Sequence, residues 1–225
     1  MNLLAIELSS RVGSLAILSD MTVRAECELA EEDRRSRGLF RVLPDLCARA
    51  GLELDELDLL APGRGPGSYT GLRLAMTVAQ ALALPGQRPV YPADSGEALA
   101  WAVMQEQDAD SVAVLGDARR GQVWIGAFGR TAAGPRAILP WSVVAPAEAM
   151  RLAPGEAVAV SSEWSALSAR SEFDSLRPLR WIEQDLFPRA RGLGFLALDR
   201  FSRGVPPPPP APIYMHPAVS TKAQR

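Results

Sequence analysis

The sequence predicts an α/β protein of two lobes, each built on a mixed sheet, the first opening with an antiparallel meander. Three observations lead there. The chain begins with three short apolar segments joined by tight turns. Segments with helical and strand spacing then alternate up to about residue 108. Near residue 110 a strand–turn–strand pattern starts afresh, so lobes of 1–108 and 109–204 are expected, followed by a proline-rich tail over 205–225.

Residues 3–8 form a compact apolar run, and Ser9-Ser10-Arg11-Val12-Gly13 after them is turn-forming. Residues 14–18 and 23–29 complete the meander around a Ser19-Asp20 turn. Leu39, Val42, Leu43, Leu46 and Ala50 recur at helical spacing, and Gly51 stands where a left-handed C-terminal cap belongs. The opposite face carries Arg34, Arg37, Arg41, Asp45 and Arg49. Residues 57–61 read as a fourth strand, 70–84 as a helix ended by Pro85-Gly86, and 89–91 as a short fifth strand. Asp94 with Glu97 three residues on predicts a capping box for a helix reaching Gln107.

In the second lobe, residues 111–116 and 122–128 flank the turn Asp117-Ala118-Arg119-Arg120-Gly121, and 136–141 adds a strand. Pro146–Leu152 predicts a short helix and 157–160 a strand, while 161–182 carry no decisive pattern. Residues 185–203 predict a helix interrupted by Pro188, Gly192 and Gly194. The five prolines of 206–210 predict an extended spacer.

At 225 residues, 48% hydrophobic and 22% charged, the chain has the makings of a globular protein with a real core. Its net charge of −2 supplies no global positive field, which argues against binding nucleic acid or an anionic membrane on its own. Arginines do cluster at Arg34, Arg35 and Arg37, at Arg119 and Arg120, and at Arg189 and Arg191, most simply as solvated faces. Cys27 and Cys47 are too few for a disulfide framework or a zinc site and read as small buried hydrophobes. The first ten residues lack a basic stretch, and no apolar run reaches 18 residues, so neither a secretory signal nor a membrane span is expected. The expected compartment is the cytoplasm.

Catalytic machinery can be removed type by type. His216, beyond the proline run, is the single histidine, so a Ser–His–Asp or Cys–His arrangement would depend on the tail. Ser68 has Pro66 and Thr70 where a nucleophile elbow needs glycines. No histidine pair is present for an imidazole-bound metal. The loop GRGPGSYTG of residues 63–71 lacks the Gly-Lys-Ser/Thr of a phosphate-binding P-loop. Pro66 also removes a donor that a dinucleotide loop would need. Close backbone packing, with Ser68 or Thr70 capping the next helix, is the leading reading, and anion binding at that helix N-terminus the alternative.

That helix is unusually apolar. Between Leu72 and Leu84 the strongly polar side chains are Arg73, Thr77 and Gln80. Leu72, Ala75, Met76, Ala79, Leu82 and Ala83 form one apolar side, and Leu74, Val78 and Ala81 another. One side covers the chain's own sheet; the other needs the third helix or a partner protein.

The motifs resemble the bacterial TsaB (YeaZ) family. Leu4-Ala5-Ile6-Glu7-Leu8-Ser9-Ser10 is similar to its opening strand, and residues 63–73, GRGPGSYTGLR, match its signature loop nearly residue for residue. Asp117-Ala118-Arg119-Arg120-Gly121-Gln122-Val123-Trp124 resembles its second hairpin. Leu43-Pro44 falls where the family's first helix has that pair, and Pro212-Ile213-Tyr214-Met215 resembles its closing Pro-x-Tyr-Leu.

The resemblance implies two ribonuclease-H-like lobes of the actin-like ATPase (ASKHA) superfamily, and a subunit that does no transfer chemistry itself. Such a subunit binds and activates a TsaD-type catalytic partner that makes threonylcarbamoyladenosine in tRNA. A TsaE-type ATPase joins them, tRNA is met through the complex, and the same surface makes a homodimer when the partner is absent. The implied interface is helical and would draw on Leu39, Leu43, Leu46, Leu72, Arg73, Met76, Thr77, Ala79, Gln80 and Ala83. No cofactor or metal is implied.

The alternative is a small-molecule kinase or ATPase of the same fold, with a nucleotide cleft lined by Glu7, Ser9, Ser10, Gly65 and Asp117. Two departures bear on it. Glu7 stands where the family usually has aspartate, and Ser9-Ser10-Arg11 lacks the early glycine of nucleotide-hydrolysing relatives. Gly38 replaces a histidine and should weaken the first helix by about 1 kcal/mol, so that helix is expected to begin near Leu39.

Overall fold

Strict alternation along the opening strands decides how the first sheet is covered. In the computed structural model, which describes residues 1–30 and 36–215, β1 (Asn2–Glu7), β2 (Gly13–Ser19) and β3 (Thr22–Leu29) form the antiparallel meander. β4 (Leu59–Pro62) adds in parallel beside β1, giving the order β3-β2-β1-β4. Successive side chains point to opposite faces. Leu4, Ile6, Leu15, Ile17 and Leu60 therefore face α1 (Ser36–Ala50) and α2 (Tyr69–Ala83). Leu3, Ala5, Ala16, Leu18 and Ala61 face the other way, toward α6 (Ala190–Ser202).

The second lobe repeats this plan. β5 (Ser111–Arg119), β6 (Gln122–Thr131) and β7 (Gly134–Val144) make a second meander, and β8 (Val158–Ser161) and β9 (Arg180–Asp185) extend it in parallel. The order is β7-β6-β5-β8-β9. α4 (Pro146–Leu152), α5 (Trp164–Ser168) and a 3-10 turn at Ser171–Leu176 cover one face through Ala149, Leu167, Phe173 and Leu176. Both sheets thus follow one order, an antiparallel meander first and parallel pairing after it.

The fifth strand expected at 89–91 is reduced in the first lobe to isolated parallel bridges, Leu60 with Val90 and Gly63 with Ala93. Pro62 on β4 has no N–H to give to the Tyr91 carbonyl, so the ladder is broken between the two bridges, although the Tyr91 and Ala93 amides still donate to Leu60 and Pro62.

The lobes exchange their last helices. α3 (Ser95–Gln107), in the chain span of the first lobe, packs Leu99, Ala100, Val103 and Met104 against the second sheet. α6, in the span of the second, packs Ala190, Leu193, Leu196 and Ala197 against the first. The division at 108/109 therefore separates the sheets but not their covering helices. This also explains why α3 is apolar nearly all round: Ala98 belongs to the first core and its neighbours to the second.

Several sequence expectations change for local reasons. α1 starts at Ser36 rather than near Leu39, because burial of Leu39, Leu43 and Leu46 outweighs the cost of Gly38. The Asp94–Glu97 capping box does not form. The Asp94 carboxylate takes Arg64 and the Trp141 indole (3.3 Å), while Glu97 takes both Arg200 nitrogens at 2.8 and 2.5 Å. Charged donors outcompete a backbone amide. Residue 185 ends β9 instead of starting a helix, and α6 runs unbroken through Gly192 and Gly194. A Cβ on Gly194 would stand 2.6 Å from Leu18 Cδ1, so that glycine sets the helix–sheet distance. Cys47 is buried, whereas Cys27 is half-buried. Arg34, Arg35, Lys222 and His216 lie outside the described residues, as does the Arg37 side chain.

α2 is also less two-sided than its composition implies. Val78 is buried in the core shared with α1, Leu74 and Val42 are half-buried against it, and of the second apolar side Ala81 alone is exposed. Ala79 has no exposed surface at all. Ala79→Arg is therefore expected to cost about 3–5 kcal/mol and to shift urea unfolding accordingly, because it puts an uncompensated charge in the core. A wild-type unfolding curve for this variant would place residue 79 on the surface instead.

Candidate functional site

The glycine loop is pressed onto the end of β1. A Cβ at Gly67 would stand 2.1 Å from the Ser9 carbonyl oxygen, and one at Gly71 would stand 1.9 Å from that of Leu8. Gly67 also has φ +155°, in the range that favours glycine. The Ser68 amide donates to Ser9 O at 2.6 Å, and Ser68 Oγ caps α2 by accepting from the Gly71 amide at 3.2 Å. The loop amide nearest the helix start is thus engaged by the protein's own backbone.

Glu7 lies beneath this loop with no exposed surface. Its Oε1 accepts from the Ser9 amide at 2.6 Å, and its Oε2 is buried without a hydrogen bond of good geometry. A Cβ at Gly63 would collide with that oxygen at 2.4 Å. Burial pushes the Glu7 carboxyl well above the usual carboxylate range, and the Ser9 and Ser95 side chains only partly oppose this.

Between the lobes runs a cleft of about 490 Å3. Ser9, Ser10 and Asp117, all named from the sequence, line it, together with Arg11, Ser68 and Glu163. Two other residues expected there are placed elsewhere. Glu7 is sealed under the loop, and Gly65 is buried where a Cβ would meet Leu72 Cδ1 at 2.8 Å and Ile213 O at 3.1 Å. Asp117 reaches the cleft with both oxygens occupied. Oδ1 accepts from the Arg119 amide at 2.6 Å, and Oδ2 accepts from Arg170 at 2.8 Å with Arg119 at 3.6 Å. The Asp117 amide donates to Glu163 at 3.1 Å. Arg170 comes from the stretch that carried no sequence pattern, so sequence reasoning missed the group that neutralises Asp117. Among the described residues, no group of three or more His, Cys, Asp or Glu side chains converges as a metal site.

Arg11, on the cleft wall, and Ser14 on β2 both make contacts to the segment around the start of α6. Arg11 pairs with Asp185 at 3.2 Å and lies over the Phe187 ring at 4.6 Å, and the Ala190 amide donates to Ser14 Oγ at 2.9 Å.

On the helical face, Leu39, Leu43, Leu46, Leu72, Met76, Ala79 and Ala83 are all buried within the chain's own core. Arg73, Thr77 and Gln80 are exposed. They share a surface with Tyr69, Ala81 and Leu84 on and just after α2, and Phe40 on α1 is exposed as well. Leu84 is 76% exposed and Phe40 47%, which is unusual for such side chains outside a contact. Thr77, Gln80, Ala81, Leu84 and Val90 line a shallow groove there. Of the ten residues that the resemblance implies for a helical interface, Arg73, Thr77 and Gln80 are exposed and the other seven are buried in the chain's own core. Arg189 and Arg191, read as a basic cluster, pair with Glu28 and Glu26 on β3.

Two substitutions test the loop and the buried acid. Gly71→Ala is expected to destabilise the chain by about 1–2 kcal/mol in urea unfolding, since the clash with Leu8 O exceeds the gain in helix propensity. A gain in stability would mean the approach is not that close. Because the Glu7 carboxyl is raised in the folded state, its favourable contribution is complete below the unfolded value of 4.5 and is lost as pH rises toward the folded value. Glu7→Gln is thus expected to match wild type near pH 4 and to exceed its stability by about 1–2 kcal/mol at neutral pH. Unfolding titrations across pH check this, and wild type gaining on the variant as pH rises would contradict it.

Comparison with known proteins gives one consistent answer. A family model described as "TsaD: tRNA N6-adenosine threonylcarbamoyltransferase" matches residues 30–178. The tRNA threonylcarbamoyladenosine biosynthesis protein TsaB of Escherichia coli (strain K12) is 31% identical over 172 residues, which is 74% of this chain and 73% of that protein. The protein of the same name from Haemophilus influenzae is 31% identical over 181 residues, 76% of each chain. The solved structure of YeaZ from Pseudomonas aeruginosa superposes with a TM-score of 0.79 at 27% identity, covering 95% of this chain and 100% of that one. With the signature loop, the duplicated lobes and these likenesses in agreement, the chain belongs to the TsaB (YeaZ) family of tRNA threonylcarbamoyladenosine biosynthesis proteins.

Proposed function

We propose that this chain is a non-catalytic scaffold and activator subunit in the synthesis of threonylcarbamoyladenosine in tRNA, seated on a TsaD-type catalytic subunit. The state of its two acids carries this reading. Glu7 is sealed and held toward its neutral form, and Asp117 is neutralised by Arg170 and its own hairpin. Neither is free to hold a metal or activate a nucleophile, so the chain works by binding rather than by chemistry.

The binding surface is the outward side of α1 and α2. Tyr69, Arg73, Thr77, Gln80 and Leu84 present a mixed apolar and polar stripe along α2 with a groove at its end, and Phe40 is exposed on α1. Two helices offering such a stripe suit packing against helices of a related partner. The same stripe supports a homodimer when the partner is absent, and a TsaE-type ATPase joins the assembled pair. tRNA is met through the complex, since the Arg189 and Arg191 side chains are already paired and the net charge is −2. Among the described residues no helix is long and apolar enough to cross a membrane. The cytoplasm is the proposed compartment.

Co-purification with the cognate TsaD-type protein, followed by a tRNA threonylcarbamoyl transfer assay with and without this chain, tests the reading. Transfer is expected to depend on the chain, and the chain alone is expected to turn over ATP at background. Thr77→Arg, on the exposed side of α2, should keep stability within about 0.5 kcal/mol. It should weaken the complex about tenfold or more, because it forces a charge into the centre of the contact. A TsaD-type protein fully active by itself, or Thr77→Arg binding as wild type, would remove the reading or its surface respectively.

A further inference from the structure

The proline-rich segment is anchored at both of its described ends. The Val205 amide donates to the Arg200 carbonyl at 2.9 Å as α6 finishes. Beyond the prolines, the Ile213 amide donates to the Arg64 carbonyl at 2.7 Å, on the glycine loop. The next ring, Tyr214, lies 4.9 Å from Tyr69 with the planes 32° apart, and Met215 packs against the second-lobe core. A proline run has few conformations to lose, so it returns the segment to the loop at small entropic cost.

What the segment reaches is the start of the exposed face of α2. Arg73, one turn on from Tyr69, lies over the Tyr69 ring with its guanidinium carbon 4.7 Å from the centroid. Tyr69 and Tyr214 remain 53% and 43% exposed. Among the described residues no carboxylate pairs with Arg73. Exposed tyrosines and arginine are the side chains that most often dominate binding energy, and a ring already stacked loses little freedom when a partner arrives.

We infer that residues 212–215 belong to the docking surface, with Tyr214 acting as a positioning residue for Tyr69 and Arg73. The occupant is the TsaD-type partner, and the part of it that seats here is apolar and carries a carboxylate opposite Arg73. The inference rests on the function proposed above. The Arg73 guanidinium, which no carboxylate among the described residues pairs, supplies the positive charge, and the strap fixes where it points.

The test is a calorimetric titration of the full chain with its cognate TsaD-type protein, at low and at raised salt, with thermal unfolding of each variant alongside. Tyr214→Ala is expected to weaken binding about fivefold and Tyr214→Phe to stay within about twofold, in line with loss or retention of an aromatic pair. Tyr214→Leu, which keeps apolar bulk without a stackable ring, should resemble Tyr214→Ala. Arg73→Ala should lower both affinity and its salt dependence, and should matter less in the Tyr214→Ala background, because the two residues act together. Tyr214→Ala binding as tightly as wild type, or Arg73→Ala costing the same in both backgrounds, overturns the inference alone. A wild-type chain that binds only a second copy of itself, or nothing, overturns the partner reading together with it.

Discussion

The contact on which the rest of the molecule depends is the direct seating of the glycine loop on the end of β1. Gly67 and Gly71 lie where any Cβ would overlap the Ser9 and Leu8 carbonyl oxygens, and Ser68 donates to Ser9 across the same gap. This approach starts α2 at a fixed height above the sheet, and its inner side joins Leu8, Leu60 and α1 in one core. It also closes over Glu7. A buried carboxyl without a full set of partners is costly when ionised, and the structure keeps it beneath a lid of backbone rather than beside a ligand. Loop, helix position and silent acid are therefore three consequences of one close contact.

The second organising feature is the exchange of helices between lobes. Sheet two takes its cover on one face from α3, and sheet one from α6, with Glu97 and Arg200 joining the two helices by a paired bridge. Trp141 reaches from β7 to Asp94 at the start of α3, and Gly96 leaves room for its ring, since a Cβ there would stand 2.4 Å away. Arg11 and Asp185 tie the opposite rim. These contacts join the two sheets and their covering helices at several separate points.

Much of this was readable in the residues. The first meander followed from short apolar runs joined by turn residues, continuous because β1 and β2 bury both faces, and the helix after the glycine loop from its long apolar pattern. Spacing could not disclose that α3 and α6 trade lobes, since an apolar side does not name the sheet it will cover. It could not locate the Arg170–Asp117 pair either, because those residues are 53 apart in sequence and meet only through the second sheet. The capping box failed for a related reason: Asp94 and Glu97 had stronger, distant cations to satisfy. Helix α2 was the most instructive case. Counting apolar positions on α2 marked the inner side, whereas the outward stripe is defined by Arg73, Thr77 and Gln80 together with Tyr69 and Leu84.

Hydrogen exchange at the Ser68 amide, followed by NMR in the isolated chain with and without magnesium ATP, addresses the seating of the loop most directly. Slow exchange from the outset, unchanged by nucleotide, is the expected result, because that donor is already held by Ser9 O at 2.6 Å. Fast exchange that becomes slow only when nucleotide is added would mean the amide is kept free for a phosphate, and a loop built for packing would be the wrong description.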